Sequence, residues 1–333
     1  MIALISVLIL LVILVNGWTD APNAIAGCIS TRAASPSSAL LLAAVCNFSG
    51  AVAMFFISPR VADTLYNIVD LGEDSESALI ALASGLMAVV LWAAIAYVSG
   101  LPTSESHAMI SGISGAAIAK CGSLSAINLR QWSYVLGGLF ATTLPPFILG
   151  YLFYRMIRLI LRRADRRRSM LYFSRTQRLS AALSAFLHGA QDSQKFIGIY
   201  LLALSLSSID IDMGKTSVLL IFVCASVMTL GTMLGGAKII KKVGLDMTDL
   251  DAAGGSAADA ASSAVLFVCS LMGIPASTTH SKTCAIMGTG LGKGSGTNPR
   301  IAAEMIGAWG LTFPVCAVLG YLFYMLMSAI FKT

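Results

Sequence analysis

Two short polar segments interrupt long apolar stretches of this sequence, and both carry residue types that can bind an anion. Residues 102–107 read PTSESH, and residues 275–280 read PASTTH. Proline followed by serine or threonine is typical of a helix start, so we expect helices to begin at about Ser104 and Ser277. The free amide groups of a helix start, with hydroxyls beside them, suit a tetrahedral oxyanion.

The two segments are related by a constant offset. Pro102 and Pro275 are 173 positions apart, and so are His107 and His280. For one segment alone, helix capping would explain the hydroxyls. Two matched segments favour an anion site instead. The candidate anion-binding side chains are Thr103, Ser104, Ser106, Ser277, Thr278 and Thr279.

A second pair of segments places carboxylates inside apolar stretches. Residues 16–24 read NGWTDAPNA and residues 188–195 read HGAQDSQK, with Asp20 and Asp192 172 positions apart. Glycine and proline in the first segment predict that its helix unwinds, which frees carbonyl oxygens beside Asp20 and Asn23 for a small cation. The second segment offers a similar set of ligands, and we expect unwound helices over residues 1–30 and 178–207.

A carboxylate within a bilayer costs at least about 2.5 kcal/mol, so two at matched positions imply partners, most simply bound cations. The alternative is that Asp192 only pairs with Lys195 and Asp20 only caps a helix. Four further residues allow two interpretations each. His107, His188 and His280 are candidates for proton transfer or anion binding, or they are lone buried histidines that only make hydrogen bonds. Asp259 either supports the cation site or pairs with a lysine.

The composition predicts a membrane protein. Of the 333 residues, 57% are hydrophobic and only 11% are charged, whereas soluble domains carry about 25% charged residues. The net charge of +6 does not indicate nucleic acid binding, because most of the excess lies in one arginine-rich stretch, 155–178. The seven cysteines are scattered singly, which indicates neither a zinc site nor a disulfide framework.

Ten stretches are candidate membrane segments, and the basic residues orient them. The candidates are 1–30, 36–58, 77–101, 103–121, 131–160, 178–207, 215–236, 252–273, 276–292 and 300–331. Because positive loops stay in the cytoplasm, loop 161–177 is expected there and both termini outside. Charge counting alone does not separate ten full crossings from re-entrant hairpins. The polar tips favour hairpins, since irregular backbone at membrane depth is tolerated where it lines a cavity.

The predicted fold class is an all-α polytopic membrane protein with an inverted-topology repeat and two re-entrant helical hairpins that meet at the bilayer midplane. The first repeat covers residues 1–160 with its hairpin at 77–121. The second covers residues 178–333 with its hairpin at 252–292. This architecture is typical of secondary transporters.

These motifs resemble the inorganic phosphate transporter (PiT) family of sodium- or proton-coupled phosphate symporters over nearly the whole chain. The family pattern N-G-x-N-D-x-x-N-A, repeated as H-G-x-N-D-x-x-K, corresponds to residues 16–24 and 188–195. Its P-V-S-T-T-H pattern corresponds to the two hairpin tips. Residues 235–244 (GGAKIIKKVG) also resemble the family's segment before the second hairpin.

The resemblance implies site residues and partners. Asp20, Asn23, Asp192 and Gln194 are expected near cation sites, and Ser104, Ser277, Thr278 and Thr279 around phosphate. Supporting roles are expected for Asn16, Glu105, His107, Gln191, Lys195, Asp259 and His280. The resemblance also implies a homodimer in the plasma membrane, sodium as the coupling ion and no other cofactor.

Three departures from the family pattern leave alternatives open. Thr19 and Gln191 replace asparagines, and Glu105 stands where a hydroxyl is expected. A carboxylate beside phosphate is repulsive unless a proton or cation accompanies it. We expect sodium-coupled import of phosphate. Proton coupling, a metal–phosphate substrate and sulfate transport remain alternatives within the family. An intramembrane hydrolase, with Ser104 or Ser277 as its nucleophile, and an anion channel are distant alternatives.

Overall fold

The computed structural model describes residues 1–72, 74–163, 166–207 and 213–331, and these residues form an all-helical protein. They contain no β-sheet, only an isolated bridge between Val69 and Ile127. The α-helices are α1 (Ile2–Thr19), α2 (Ala21–Ser30), α3 (Pro36–Ile57), α4 (Arg60–Tyr66), α5 (Ser75–Val98), α6 (Glu105–Cys121), α7 (Leu129–Ala141), α8 (Leu144–Ile160), α9 (Arg166–Leu206), α10 (Met213–Leu234), α11 (Ala237–Lys241), α12 (Ala252–Met272), α13 (Thr278–Lys293) and α14 (Pro299–Phe331).

Each predicted hairpin is a pair of contacting helices, α5 with α6 and α12 with α13. The second helix of each pair begins where the sequence predicts. Ser104 accepts a hydrogen bond from the backbone amide of His107, and Ser277 accepts one from the backbone amide of His280. Both helices end at a left-handed glycine. The matched polar segments therefore produce two matched helix starts.

Seven stretches of the described residues are long and apolar enough to cross a membrane. They are Ile2–Ser30, Pro36–Ile57, Ser75–Val98, Leu129–Ile160, Thr216–Leu234, Ala252–Met272 and Pro299–Phe331. In their most apolar windows, α5 and α12 are 67% buried within the protein, against 22–39% for the other five. The first arm of each hairpin therefore lies inside the helical bundle, and most residues in the apolar windows of the other five stretches are not buried within the protein.

The second arms are short. With 17 and 16 residues, α6 and α13 are about 26 and 24 Å long, less than the hydrocarbon core of about 30 Å. The predicted segments 103–121 and 276–292, like 178–207, fall outside the seven apolar stretches.

Close helix contacts recur in both halves of the chain. A Cβ on Gly17 would lie 2.2 Å from the carbonyl oxygen of Met228, and one on Gly189 would lie 2.1 Å from that of Asn47. Because neither glycine carries a Cβ, Gly17 lets α1 pack closely against α10, and Gly189 lets α9 pack closely against α3. The two glycines are 172 positions apart, the offset that also separates Asp20 and Asp192 in the sequence.

The structure corrects two predictions around α9. No unwinding occurs over residues 178–207, because α9 is continuous from Arg166 to Leu206. This segment has no proline to remove a backbone donor, and Gly189 serves close packing instead of a bend. The predicted basic loop 161–177 is also helical from Arg166 onward. At 41 residues α9 is about 60 Å long, so the bilayer accommodates only part of it.

In the other predicted unwound segment, residues 1–30, the helix is interrupted at a single residue, Asp20, whose backbone angles stay helical. Helix α1 ends at Thr19 and α2 begins at Ala21, with Asp20 between them. Pro22, in the first turn of α2, has no amide hydrogen, so it cannot donate the backbone hydrogen bond that would continue α1. The Asp20 side chain makes no capping hydrogen bond to α2, so its carboxylate is available for other contacts.

Candidate functional site

The break at Asp20 and the middle of α9 bring two buried carboxylates together. The side-chain amide of Asn16 donates to Asp20 Oδ2 over 3.2 Å and to Asp192 Oδ2 over 3.1 Å. Asp20 is 2% exposed and Asp192 is fully buried. One amide therefore bridges the two residues that the sequence pairs by position. Because both carboxylates are removed from water, their negative charges need compensation within the site.

Asp192 receives part of that compensation from its own helix. His188, Asp192 and Lys195 lie at intervals of four and three residues, so they share one face of α9. Lys195 Nζ lies 2.6 Å from Asp192 Oδ1, and both side chains are fully buried. The ion pair of Asp192 with Lys195 is therefore present, but it is not the only contact of Asp192, which also accepts from Asn16 and Thr278. Asp20 makes no capping hydrogen bond, so the alternative that it only caps a helix is wrong.

Lys195 also ties the two hairpin tips together. Its ammonium group donates to Ser106 Oγ over 2.8 Å and to the carbonyl oxygen of Ala276 over 2.5 Å. Ser106 belongs to the first turn of α6, and Ala276 precedes α13. One buried cation on α9 therefore holds the two predicted anion-binding segments in contact with each other and with Asp192.

The hydroxyls of the second tip contact the carboxylates directly. Thr279 Oγ1 donates to Asp20 Oδ1 over 2.6 Å, and Thr278 Oγ1 donates to Asp192 Oδ2 over 3.4 Å. The side-chain amide of Asn23 donates to Thr279 Oγ1 over 3.1 Å. Both threonines are predicted anion ligands, and in the structure their hydroxyls bond to the carboxylates, so the predicted anion and cation sites are adjacent.

The group formed by Asp20, His188 and Asp192 has ligand atoms within 4.8 Å of one another. Asn47 donates its side-chain amide to Thr232, so its oxygen faces His188 Nδ1 at 3.0 Å and requires a proton on that nitrogen. If His188 is neutral, its Nε2 lone pair then lies 3.2 Å from Asp192 Oδ2, which also carries lone pairs. A cation or a second proton between them would remove this repulsion.

Two further oxygens complete a set of hard ligands. Oδ1 of Asn16 and Oδ1 of Asn23 are buried and have no hydrogen-bond partner in the described part of the chain. Carboxylate and amide oxygens are the ligands that hard cations prefer. The residues predicted at the break in α1 therefore fit a small hard cation, with Asp192 as the contribution of α9.

Gln194, which was predicted near this cluster, points elsewhere, and Gln191, for which a supporting role was predicted, bonds to the second tip. Gln194 Oε1 accepts from the backbone amide of Val61, and its Nε2 donates to the carbonyl oxygen of Ala190. Two residues along an α-helix turn the side chain about 200°, so Gln194 points away from the face of Asp192. Gln191 bonds to the turn before α13, through Ile274 and Ala276.

Asp259 takes the second of its two predicted roles, because it pairs with a lysine. Lys282 Nζ forms a buried ion pair with Asp259 Oδ1, and Ser180 Oγ donates to Asp259 Oδ2 over 2.9 Å. Lys282 also donates to the carbonyl oxygen of Ala24 over 3.2 Å. This pair joins α2, α9, α12 and α13 beside the site.

The two histidines of the tips face each other. The ring centroids of His107 and His280 are 4.9 Å apart, and they stack on Phe313 and Trp309 of α14 at 4.8 and 4.0 Å. None of their ring nitrogens has a hydrogen-bond partner among the described residues. Ser104 bonds to the backbone amide of His107, not to its ring, so the geometry lacks the serine–histidine pair that a hydrolase needs.

Glu105 lies on the other side of Asp20. Its Oε1 accepts from Thr19 Oγ1 over 2.6 Å, and its carboxyl group is within hydrogen-bonding reach of the Asp20 carboxyl group. Thr103 lines the same small cavity. Asp20, Glu105 and Asp192 thus share a buried region in which Lys195 is the compensating ammonium group.

Several residues of the site are not predicted from the sequence. His188 is interpreted there as a lone histidine, although its spacing of four residues from Asp192 indicates a shared helix face. Lys282 gave no signal, since its partner Asp259 is 23 residues away on another helix. Thr19 and Glu105 both depart from the family pattern. In the structure Thr19 Oγ1 donates a hydrogen bond to Glu105 Oε1, so the two departures are in direct contact.

The fold and the site together define a membrane transport protein. Its helices can cross a bilayer, and its buried charged groups are shared between the tips of two internal hairpins. The phosphate transporter family matches residues 16–320, and the chain belongs to that family.

Proteins of similar sequence match this chain over almost its full length. A "Probable low-affinity inorganic phosphate transporter" of Bacillus subtilis (strain 168) is 33% identical over 318 residues, covering 95% of this chain and 94% of that protein. A protein of the same description from Rhizobium meliloti (strain 1021) is 32% identical and covers 93% and 91%. The predicted family is confirmed. The chain is a transporter and not an enzyme, which removes the hydrolase alternative.

A solved structure described as "The sodium-dependent phosphate transporter" shares the fold. The TM-score is 0.78 at 22% sequence identity, and the match covers 99% of each chain. At this identity the likeness establishes the fold alone.

Proposed function

We propose that this protein imports inorganic phosphate across the plasma membrane in symport with sodium, by alternating access around the region where the two hairpin tips meet. The family and the relatives' descriptions support phosphate as the substrate. The description of the solved neighbour supports sodium. No cofactor other than the coupling ion enters the proposal.

The observation that carries the proposal is the direct bonding of tip hydroxyls to buried carboxylates. Thr279 donates to Asp20 and Thr278 donates to Asp192. A hydroxyl has one proton to donate, so it bonds either to a carboxylate or to a phosphate oxygen. Sodium at Asp20 and Asp192 takes over the carboxylate oxygens and releases both donors. Cation binding thereby prepares the second tip for phosphate.

The phosphate site is completed by groups from both tips. Ser104, Ser106 and Thr103 on the first tip and Ser277 on the second add hydroxyls beside the starts of α6 and α13. Lys195 supplies a positive charge next to Ser106 and Ala276. Bound sodium ions offset the repulsion between phosphate and the carboxylates. Each surplus positive charge moved inward gains about 2.3 kcal/mol per 100 mV, so uptake is electrogenic when cations exceed the phosphate charge.

The proposed architecture has two inverted repeats with re-entrant hairpins. The shortness of α6 and α13 and the burial of α5 and α12 support hairpins that do not cross fully. The recurring glycine contacts support the repeat. In this arrangement the arginine-rich stretch around residues 161–177 is cytoplasmic and both termini are outside. The family resemblance further suggests a homodimer.

The second candidate is proton coupling, which Glu105 favours because a proton satisfies two adjoining carboxyl groups. Uptake of labelled phosphate into proteoliposomes separates the two. Four conditions are compared: an inward sodium gradient, an inward proton gradient in choline, both gradients and neither. We expect uptake with sodium and background uptake with choline. Equal uptake in all four conditions contradicts coupling, and competition by sulfate stronger than by unlabelled phosphate contradicts the substrate.

A further inference from the structure

A groove at the end of α8 is lined by charged and apolar side chains in equal number. Its volume is about 550 Å³, and among the described residues its lining comes from α8 and from the turn that follows, Leu161–Arg163. The lining residues are Arg155, Arg158, Arg162, Leu152, Met156 and Leu159. None of them contributes to the site between the hairpin tips, so the groove requires an explanation of its own.

The groove lies on the outer face of α8. Its three arginines follow one another at intervals of three and four residues, the spacing of neighbours on one helix face. All six lining side chains are exposed. The opposite face of α8 is the packed one, because a Cβ on Gly150 would lie 2.3 Å from the carbonyl oxygen of Ala285 in α13. The groove is therefore on the far side of the helix against which the second hairpin packs.

The three arginines of the groove lack a counter-charge. No ion pair between described residues includes any of them. Asp251, which bonds to Tyr154 of α8, and Asp249 both pair with Lys293. Like charges three or four residues apart on a helix repel each other. An anion from outside the chain would remove this repulsion.

The groove also lies where the helix leaves the apolar part of the membrane. The stretch Leu129–Ile160 is long and apolar enough to cross a bilayer. Arg155 and Arg158 lie in its last two turns, and Arg162 follows two residues after its end. The apolar lining spans seven residues, or about 10 Å along the helix. Long basic side chains near a helix end extend to the membrane surface, so the groove joins the acyl region to the headgroup region.

We propose that this groove binds an anionic glycerophospholipid. The three guanidinium groups hold its phosphodiester, for which paired N–H donors are well suited, and its acyl chains lie on the three apolar side chains. A free anion leaves the apolar side chains uncovered, and a zwitterionic lipid brings a positive charge back to the arginines. Only an anionic lipid matches both halves of the groove. The inference does not depend on the proposed transport function.

The test measures lipid binding to the purified full chain. Native mass spectrometry from detergent micelles gives the association constants of phosphatidylglycerol and phosphatidylcholine for the wild type and for the triple variant Arg155→Gln, Arg158→Gln, Arg162→Gln. We expect the wild type to prefer phosphatidylglycerol. Each basic residue near an anionic membrane surface changes binding about fivefold, so the triple variant should bind phosphatidylglycerol at least about tenfold more weakly. Its binding of phosphatidylcholine should not change.

A second triple variant controls for net charge. Arg130→Gln, Arg175→Gln and Lys241→Gln remove the same charge from exposed positions outside the groove. We expect this control to bind phosphatidylglycerol like the wild type. Leu159→Ser is an independent variant that keeps every charge and removes part of the apolar lining. It should weaken phosphatidylglycerol binding several-fold, and unchanged binding would contradict the acyl contact.

Several outcomes overturn the lipid site. Unchanged phosphatidylglycerol binding in the triple variant of the groove contradicts it, and an equal loss in the control reduces the effect to net charge. Displacement of the lipid by an equal concentration of glycerophosphoglycerol, the soluble headgroup, would assign the arginines to a free anion. A change in oligomeric state with unchanged lipid binding would assign the groove to a second copy of this chain.

Discussion

Lys195→Met tests whether the buried ammonium group holds the site together. Lys195 is fully buried and donates to Asp192, Ser106 and Ala276 at 2.5–2.8 Å. Methionine keeps most of the volume and removes the charge. Breaking one side of a buried ion pair costs about 3–5 kcal/mol, because the remaining charge is left without a partner. We expect a loss of free energy of unfolding of about that size.

A double variant separates the ion pair from general damage. Asp192→Asn in the Lys195→Met background removes the stranded carboxylate, so most of the lost stability should return. Lys238→Met serves as the control, since Lys238 is exposed and contacts uncharged groups, the carbonyl oxygen of Val98 and the ring of Tyr97. Reversible unfolding in detergent micelles with increasing denaturing detergent gives the free energies. Equal stabilities of the single and double variants would refute the argument that Asp192 is charged and neutralised by Lys195.

Three further predictions concern the packing and the tips. Gly189→Ala places a methyl group 2.1 Å from a backbone oxygen and should cost at least about 1–3 kcal/mol, whereas Gly137→Ala, with open space around it, should leave unfolding unchanged or slightly harder. Ser277→Ala should lose about 1 kcal/mol of helix capping and weaken phosphate binding in equilibrium dialysis; intact binding would contradict its place in the site. Lys282→Met should destabilise by about 3–5 kcal/mol, and adding Asp259→Asn should restore most of it; a double variant as unstable as the single one would contradict the ion pair.

Much of the architecture is predictable because the signals are local. A proline followed by a serine sets the start of α6 and of α13, and the observed caps at Ser104 and Ser277 match. Pro22 marks the break after α1 for the same reason, the loss of one backbone donor. The constant offset between the halves indicates a duplication, and the glycine contacts at 17 and 189 agree with it.

The predictions from the sequence are wrong where contacts between helices, and not the local sequence, determine the structure. Glycine at position 189 suggests a bend, but it packs against a neighbouring backbone, and α9 stays continuous. Gln194 is close to Asp192 in sequence, but the helical rotation directs it to Val61. The pairing of Lys282 with Asp259 is a contact between helices that no spacing rule reveals.

Glu105 illustrates a third case. The sequence identifies it as a departure from the family pattern, and electrostatics demands a counter-charge for it. The fold decides which groups lie next to Glu105. Thr19 and Asp20 contact it from the end of α1, whereas Glu105 belongs to α6. A pattern alone thus locates the unusual residue, and the structure supplies its neighbours.

The most direct test of the account is the binding of labelled phosphate to the purified protein, titrated in sodium and then in choline at two pH values, with sulfate as the competitor. Because sodium at the carboxylates is proposed to release the hydroxyls of Thr278 and Thr279 for phosphate, we expect binding in sodium and little in choline at either pH. Phosphate binding of equal strength in choline, or binding that follows pH alone, would contradict sodium coupling through Asp20 and Asp192.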